Sequence, residues 1–254
     1  MSKIKNEIDV IHYGSEEEVS GRNHMMALME NCPIPKDQLL ENIGLFIDSK
    51  KLSRFLFMDH IYKKNVDIQG VVMEFGTRWG QNSALFSALR GIYEPFNRHR
   101  KIIAFDTFTG FPSVNEKDGA SELMTPGQLF TADKYDKYLD DVLDAQEALN
   151  PINHIKKHEV RKGDAIIELE SYLKENPETI ISLAYFDFDI YEPTKKCLEL
   201  ILPRLTKGSV IGFDELNDPD SPGETLALME VIGLNNISLK RFKYASRVSY
   251  YIVE

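Results

Sequence analysis

VVMEFGTRWGQNS, residues 71–83, decides how the rest of the chain is read. A short apolar run stops at the acid Glu74. Gly76 follows, and four residues later Gly80 stands directly before a candidate helix. A buried strand that feeds a helix through a glycine turn has this form, and glycine lets a ligand approach the backbone closely. A phosphate would want glycines and N–H groups there, without a carboxylate at the mouth. Glu74 suits a cationic amine instead. Taken alone, E-x-G-x-x-x-G is also an ordinary strand-to-helix turn with a solvated acid. Thr77 and Trp79 occupy the turn, which counts against the G-x-G-x-x-G of a dinucleotide site.

Working outward, four further strand-length runs follow: KIIAFDT (101–107), HEVRKGD (158–164), ISLAYFDFD (181–189) and GSVIGFDE (208–215). Except for the more polar third, they are nearly continuous in apolar residues, as strands buried on both faces of a parallel sheet are. The third belongs near an edge. Helical spacing of Leu, Ile and Ala separates them at 83–93, 166–175 and 193–205, with Pro193 in a first turn and Gly208 as a C-cap glycine. This alternation predicts an α/β fold, a doubly wound, mostly parallel Rossmann-like sheet with right-handed crossovers. The tail ISLKRFKYASRVSYYIVE (237–254) predicts an antiparallel hairpin closing that sheet.

Two stretches break the rhythm. Residues 1–65 read as an N-terminal extension with helical pieces, clearest in LENIGLFIDSKKLSRFLFMDHIY (40–62). Residues 112–150 form a polar, acid-rich insert that ends in the helical KYLDDVLDAQEAL (137–149), and an insert of this length beside strand C-termini predicts a lid.

The 254 residues are 43% hydrophobic and 28% charged, enough for one substantial core. A net charge of −10 argues against a polyanion-binding surface, so no nucleic-acid partner is expected. No run approaches the ~20 apolar residues that cross a bilayer. The N-terminal MSKIKNEIDVIHYGSEEEVS lacks the apolar segment of a secretory signal. Cys32 and Cys197 lie far apart, outside any C-x-x-C spacing; they leave one disulfide open, with two reduced thiols the expectation for a cytosolic chain. The expectation is a soluble, cytoplasmic protein with no membrane partner.

Function is carried by acids at the strand ends, where open α/β sheets bind their ligands. If the strands are right, Glu74, Asp106, Asp187 with Asp189, and Asp214 with Glu215 converge along one edge. An acid at the position of Asp106 can accept both hydroxyls of a ribose. Asp164, in RKGDAIIEL, reads first as a helix N-cap, and at this place in the sheet Asp164 and Ala165 could also edge an adenine ring. Two carboxylates in DFD and two in DE would repel if left unpaired in one crevice. A hard cation such as Mg²⁺ relieves that repulsion and keeps positions open for substrate oxygens. Phe108, Phe111, Tyr135 and Tyr138 are candidates for an acceptor pocket, with packing as the commoner use of helically spaced aromatics. His154 and His158, flanking the third strand, read as surface or packing residues.

The motifs MEFGTRWGQNS (73–83), AFDTFTGFP (104–112), KGDA (162–165), FDFDIYEPT (186–194), GFDE (212–215) and PGETLALMEVIG (222–233) together resemble the class I S-adenosylmethionine-dependent methyltransferases. More narrowly, residues 65–254 resemble the macrocin O-methyltransferase (TylF-type) family of metal-dependent sugar O-methyltransferases. The resemblance implies a methyltransferase domain over 66–254. It implies that Glu74 and Gly76 hold the methionine end of the cofactor, with Thr77, Gly80 and Ser83 in the same turn. Asp106 and Thr107 would then serve the ribose, and Asp164 and Ala165 the adenine side. Asp187, Asp214 and Glu215 match the Mg²⁺ positions, and Asp189 is close enough to serve as a ligand, a base or an orienter; Asp187, Asp189 or a metal-bound hydroxide is the candidate proton acceptor. Related catechol-type enzymes carry a lysine soon after the first metal acid, and residues 188–192 contain none.

The implied reaction is methyl transfer to a hydroxyl of a sugar or sugar-containing small molecule. N-terminal helices of such enzymes often pack on a second subunit, which allows a homo-oligomer. An NAD- or nucleotide-sugar-dependent oxidoreductase would use a similar turn but leaves the DFD and DE pairs without a role. A non-catalytic methyltransferase-like module has no need for four clustered charges.

Overall fold

A computed structural model describes residues 14–254. Residues 1–13 of the expected N-terminal extension, and most of the segment read as lacking a secretory signal, lie outside the described residues. The strands form one seven-stranded sheet: β1 (Val71–Phe75), β2 (Ile102–Asp106), β3 (His158–Lys162), β4 (Ile181–Phe186), β5 (Leu205–Phe213), β6 (Lys240–Arg241) and β7 (Ser249–Ile252). Their order is β3-β2-β1-β4-β5-β7-β6. The first five pair in parallel, and β7 joins β5 and β6 antiparallel. The polar β3 takes the edge, and the tail forms the expected hairpin.

Period-two alternation divides the strand side chains between two helical layers. Val72, Leu183, Tyr185 and Val210 pack with Phe57, Met58, Ile61 and Phe86. These come from α3 (Ser49–Asn65) and α4 (Gln81–Tyr93), which follow α1 (Glu16–Glu30) and the short α2 (Lys36–Leu39). Asp48 caps α3 by accepting the Lys51 N–H at 2.8 Å, so the expected 40–62 helix is a 3₁₀ segment, Leu40–Phe46, and then α3. Although α3 lies within the stretch read as an extension, its Phe57, Met58, Ile61 and Tyr62 are fully buried core residues. In contrast, α1 buries none of its residues.

On the other face, Met73, Phe75, Ile103, Ala184 and Ile211 meet Leu169 and Tyr172, Cys197 and Leu198, and Leu228. These belong in turn to α6 (Ala165–Glu175), α7 (Tyr191–Ile201) and α8 (Gly223–Val231). The insert's α5 (Tyr135–Leu149) buries Leu139 and Leu143 beside Phe108. Gly208 is not a helix cap. It lies inside β5 at φ +91°, where an added Cβ would meet the Ile68 side chain at 2.5 Å. The helix before it ends earlier, with Leu202–Arg204 forming a 3₁₀ turn. Among the described residues, no helix is long and apolar enough to cross a membrane.

Candidate active site

The last inward-facing residue of five neighbouring strands is aromatic, and these rings make a row across the sheet. Phe75 stacks on Phe105 at 5.0 Å and on Phe186 at 4.8 Å, Phe186 on Phe213 at 5.4 Å, and Phe213 on Tyr251 at 6.5 Å. The residue after each of the first four is Gly76, Asp106, Asp187 and Asp214. The parallel ladder continues one step past the rings: Gly76 N–H donates to Phe105 O, Asp187 N–H to Phe75 O and Asp214 N–H to Phe186 O, at 2.8–3.0 Å. Packing under the row thus fixes the height at which the glycine and the acids emerge. Above it opens a cavity of ≈ 400 Å³. It lies across β1 and β4, where the strand order reverses, the place at which open α/β sheets take ligands.

Of the expected cofactor residues, Gly76, Thr77, Asp106, Thr107, Asp164 and Ala165 line this cavity. Glu74, Gly80 and Ser83 do not; they build the turn from below. Glu74 is fully buried and accepts hydrogen bonds from Thr77 Oγ1 at 2.7 Å, Asn82 Nδ2 at 2.9 Å and the Ser83 hydroxyl. Burial pushes its carboxyl above the ordinary range, against the pull of those three donors. Glu74 therefore meets the cavity through Thr77 and Asn82, both of which line it. Gly80 begins α4 at φ +76°, against Leu139 of α5.

At Gly76 (φ +83°) an added Cβ would lie 2.0 Å from the Asp187 carbonyl oxygen. That contact is backbone, so it cannot relax without parting β1 from β4. Gly76→Ala should cost at least ~1–3 kcal/mol in backbone strain alone and abolish ligand binding at the turn, as thermal unfolding and calorimetry would show.

Asp106 accepts the N–H of Arg78 at 2.8 Å and of Phe108 at 2.6 Å, which pins its carboxylate toward the cavity. Burial still raises its pKa over the effect of those donors. Asp164 caps α6 by accepting the Ile166 N–H at 2.9 Å, so the N-cap role and a place in the cavity wall coexist. Of the four aromatics considered for an acceptor pocket, only Phe111 lines the cavity. Phe108 packs in a core with Leu139 and Leu143, Tyr135 donates its hydroxyl to Trp79 O, and Tyr138 is exposed.

Asp187, Asp189, Asp214 and Glu215 all reach the cavity wall. Arg54 of α3 bridges one acid of each pair: its guanidinium donates to Asp187 Oδ2 at 2.6 Å and to Asp214 Oδ1. Asp214 also accepts the Tyr185 hydroxyl at 2.8 Å. Arg247 pairs with Glu215, and its Nε lies 3.0 Å from Asp218. Asp189 adopts a left-handed backbone, φ +63°. Behind it the fully buried Glu224 accepts the Phe188 N–H at 2.9 Å. Burial and then Asp214 push Asp187 well above the usual carboxylate range, and push Asp189 up to about 7. Burial and then Asp189 raise Glu224 likewise.

These acids fit a bound dication in chemistry. Glu215 Oε1 and Glu224 Oε2 are buried without a hydrogen-bond partner, and two acids share a single guanidinium. Asp187 and Asp214 face one point, which Arg54 holds; Glu215 is turned toward Arg247. A separate group, Asp140 and Asp144 of α5 and His158 of β3, brings ligand atoms together away from the cavity. Lys156 pairs with both of its carboxylates, and none of the three lines the cavity.

Arg54, Asn82, Arg247 and Glu224 were not assigned roles from the sequence. Arg54 sits on the polar face of an amphipathic helix, where an arginine ordinarily reads as solvated. Glu224 falls within PGETLALMEVIG, whose acid carried no distinguishing spacing.

No protein-family model matches the chain, and no curated relative does. Solved structures do. The crystal structure of CalS11, described as calicheamicin methyltransferase, is 40% identical and aligns over 99% of this chain and 98% of its own, with a TM-score of 0.93. An apo structure described as CalS11, TDP-rhamnose 3'-O-methyltransferase, is 39% identical over 95% and 96%, with a TM-score of 0.84. The O-methyltransferase NovP shares the fold at 16% identity over 80% of each chain, with a TM-score of 0.59. Identity of this order across the full length, with the glycine turn and the acids meeting in one cavity, places the protein among the class I S-adenosylmethionine-dependent O-methyltransferases of the macrocin O-methyltransferase (TylF) type.

Proposed function

We propose that the protein methylates a hydroxyl of a sugar carried on a nucleotide or another small molecule, with Mg²⁺ assisting. The observation that carries this reading is the meeting of the glycine turn and the acids of β4 and β5 in one cavity. The relative described as a TDP-rhamnose 3'-O-methyltransferase supports the acceptor class.

In this reading Asp106 accepts the ribose hydroxyls beside Thr107, and Asp164 and Ala165 edge the adenine. Gly76 and Thr77 lie along the methionine end, where Glu74 acts on the amino group through Thr77 and Asn82. The acid-rich wall suits a sulfonium cation, whose charge disappears during transfer, so the protein positions the partners and excludes water. Phe111, Leu123, Leu129 and Ile190 supply the apolar side of the cavity. Residues 112–150 act as its lid, and a second copy of the chain can pack on the N-terminal helices.

Asp187, Asp214 and Glu215 would hold Mg²⁺ once Arg54 and Arg247 swing aside. The ion, when bound, lowers the pKa of an acceptor hydroxyl. Asp189 takes the hydroxyl proton, with Asp187 as the alternative acceptor.

Calorimetric titration with S-adenosylhomocysteine, with NAD⁺ as comparator, tests the site assignment. Micromolar binding is expected for S-adenosylhomocysteine. Asp106→Ala should weaken it by roughly 100-fold, because hydrogen bonds to a charged acceptor contribute about 1.5–3 kcal/mol each. Unchanged affinity in that variant would contradict the ribose assignment, and tight NAD⁺ binding would contradict the cofactor.

A further inference from the structure

Arg54, Arg78 and Arg247 are the basic residues in the cavity wall among the described residues. Arg54 and Arg247 are held by carboxylates. Arg78 is not: among the described residues no carboxylate oxygen lies within the 4.0 Å of an ion pair. Its Nε is buried without a hydrogen-bond partner. The guanidinium rests over the Trp79 ring, 5.6 Å from the centroid.

The local backbone explains how the side chain is presented. Arg78 stands at φ +44°, a left-handed conformation uncommon outside glycine. Its own N–H is fixed on Asp106 Oδ2 at 2.8 Å, and Phe108 N–H takes the other oxygen of that carboxylate. Asp106 thus meets Arg78 through the backbone N–H, while the guanidinium is left over the indole. A buried donor without a partner carries a desolvation cost, which an incoming acceptor would remove. A planar fork matches carboxylate and phosphate oxygens two at a time, as a lysine ammonium does not.

We propose that Arg78 receives an oxyanion carried by one of the two substrates: the α-carboxylate of the cofactor, or the pyrophosphate of a nucleotide-activated acceptor. The proposal rests on the methyltransferase reading above and adds a residue to which that reading assigns no role. It also gives a cation a purpose in a cavity where acids outnumber bases. An anionic substrate part entering this wall would otherwise meet repulsion from Asp106, Asp187 and Asp189.

The test is calorimetry on wild type, Arg78→Met and Arg78→Lys with three probes: S-adenosylhomocysteine, 5'-methylthioadenosine and thymidine diphosphate, the last in saturating S-adenosylhomocysteine. Methylthioadenosine keeps the nucleoside but lacks the amino-acid end. If Arg78 holds the carboxylate, Arg78→Met weakens S-adenosylhomocysteine by about 10- to 100-fold, leaves methylthioadenosine within twofold, and Arg78→Lys recovers part of the loss. If Arg78 holds the pyrophosphate, the same loss falls on thymidine diphosphate while both nucleosides bind as in wild type.

Two results would overturn the proposal. One is a change below twofold for all probes; the other is an equal loss for all three, which would mark Arg78 as a structural part of the turn. Wild-type protein that binds none of the probes would contradict the methyltransferase reading, a failure visible before any variant is made.

Discussion

Asp187→Asn is expected to slow methyl transfer by about 100-fold or more while leaving S-adenosylhomocysteine affinity within a few-fold of wild type. The substitution keeps the shape of a residue in the cavity wall and removes one charge from the group that faces Arg54. Cofactor recognition is assigned to Gly76 just after β1, Asp106 at the end of β2 and Asp164 at the cap of α6, so it should survive. Loss of electrostatic support for a developing alkoxide is worth several kcal/mol, and each ~1.4 kcal/mol is tenfold in rate. Asp214→Asn should behave alike, since Asp214 shares the same guanidinium and also accepts the Tyr185 hydroxyl. Single-turnover rates beside calorimetry check this. Full activity of both variants in chelator would exclude the assigned role of the acid pair.

The second large effect is on the fold. Arg100 is 1% exposed and engages Glu94 through Nε and Nη2, each at 2.9 Å. It also donates to the carbonyls of Gly70 at 2.6 Å and Ile68 at 2.8 Å, and to the Ser182 hydroxyl. One side chain thus ties the end of α3 and the entry of β1 to β4. Arg100→Met would leave Glu94 buried with only neutral partners, Tyr62 and Asn97, together with several carbonyls.

Breaking a buried pair in this way costs about 3–5 kcal/mol, which in a chain of this size lowers the melting temperature by roughly 10 °C. Burial raises the Glu94 pKa, but Arg100 and Tyr62 outweigh it and hold the carboxyl below its ordinary 4.5. A depressed acid stabilises the fold above its unfolded pKa and loses that contribution as pH falls through the folded value. The gap in stability between wild type and Arg100→Met should therefore narrow as pH falls from the ordinary carboxylate value through the lower folded value of Glu94. A gap that is constant with pH would mean that the ion pair is not its source.

Much of this architecture is legible because the burial demands are simple. A strand covered on both faces must be apolar, and the chain can leave that regime only at its end. Glu74, Asp106, Asp187 and Asp214 were therefore visible as interruptions of apolar runs. Parallel pairing then brings three of the four into the cavity wall. Glu74 differs because β-strand alternation points it at the α3 and α4 layer, beneath the turn, where Thr77, Asn82 and Ser83 absorb it.

Other features depend on tertiary contacts that no local pattern encodes. Arg54 is well over 100 residues from the acids it joins. Gly208 looks like a cap from its place after a helix, yet it serves the close approach of Ile68 to β5. Phe108 and Phe111 are three residues apart in one loop, but Phe108 packs beneath α5 while Phe111 turns into the cavity.

The most direct test of the account is an assay of purified protein with S-adenosylmethionine and a panel of sugar nucleotides, comparing chelator-treated protein with the same protein resupplied with Mg²⁺. Mass spectrometry of the sugar nucleotide should show the gain of one CH₂ unit, dependent on cofactor, restored by Mg²⁺ and strongly reduced in Asp187→Asn. Undiminished transfer in chelator would contradict the role given to the acids of β4 and β5. No transfer to any sugar of the panel, from protein that binds S-adenosylhomocysteine, would contradict the acceptor class.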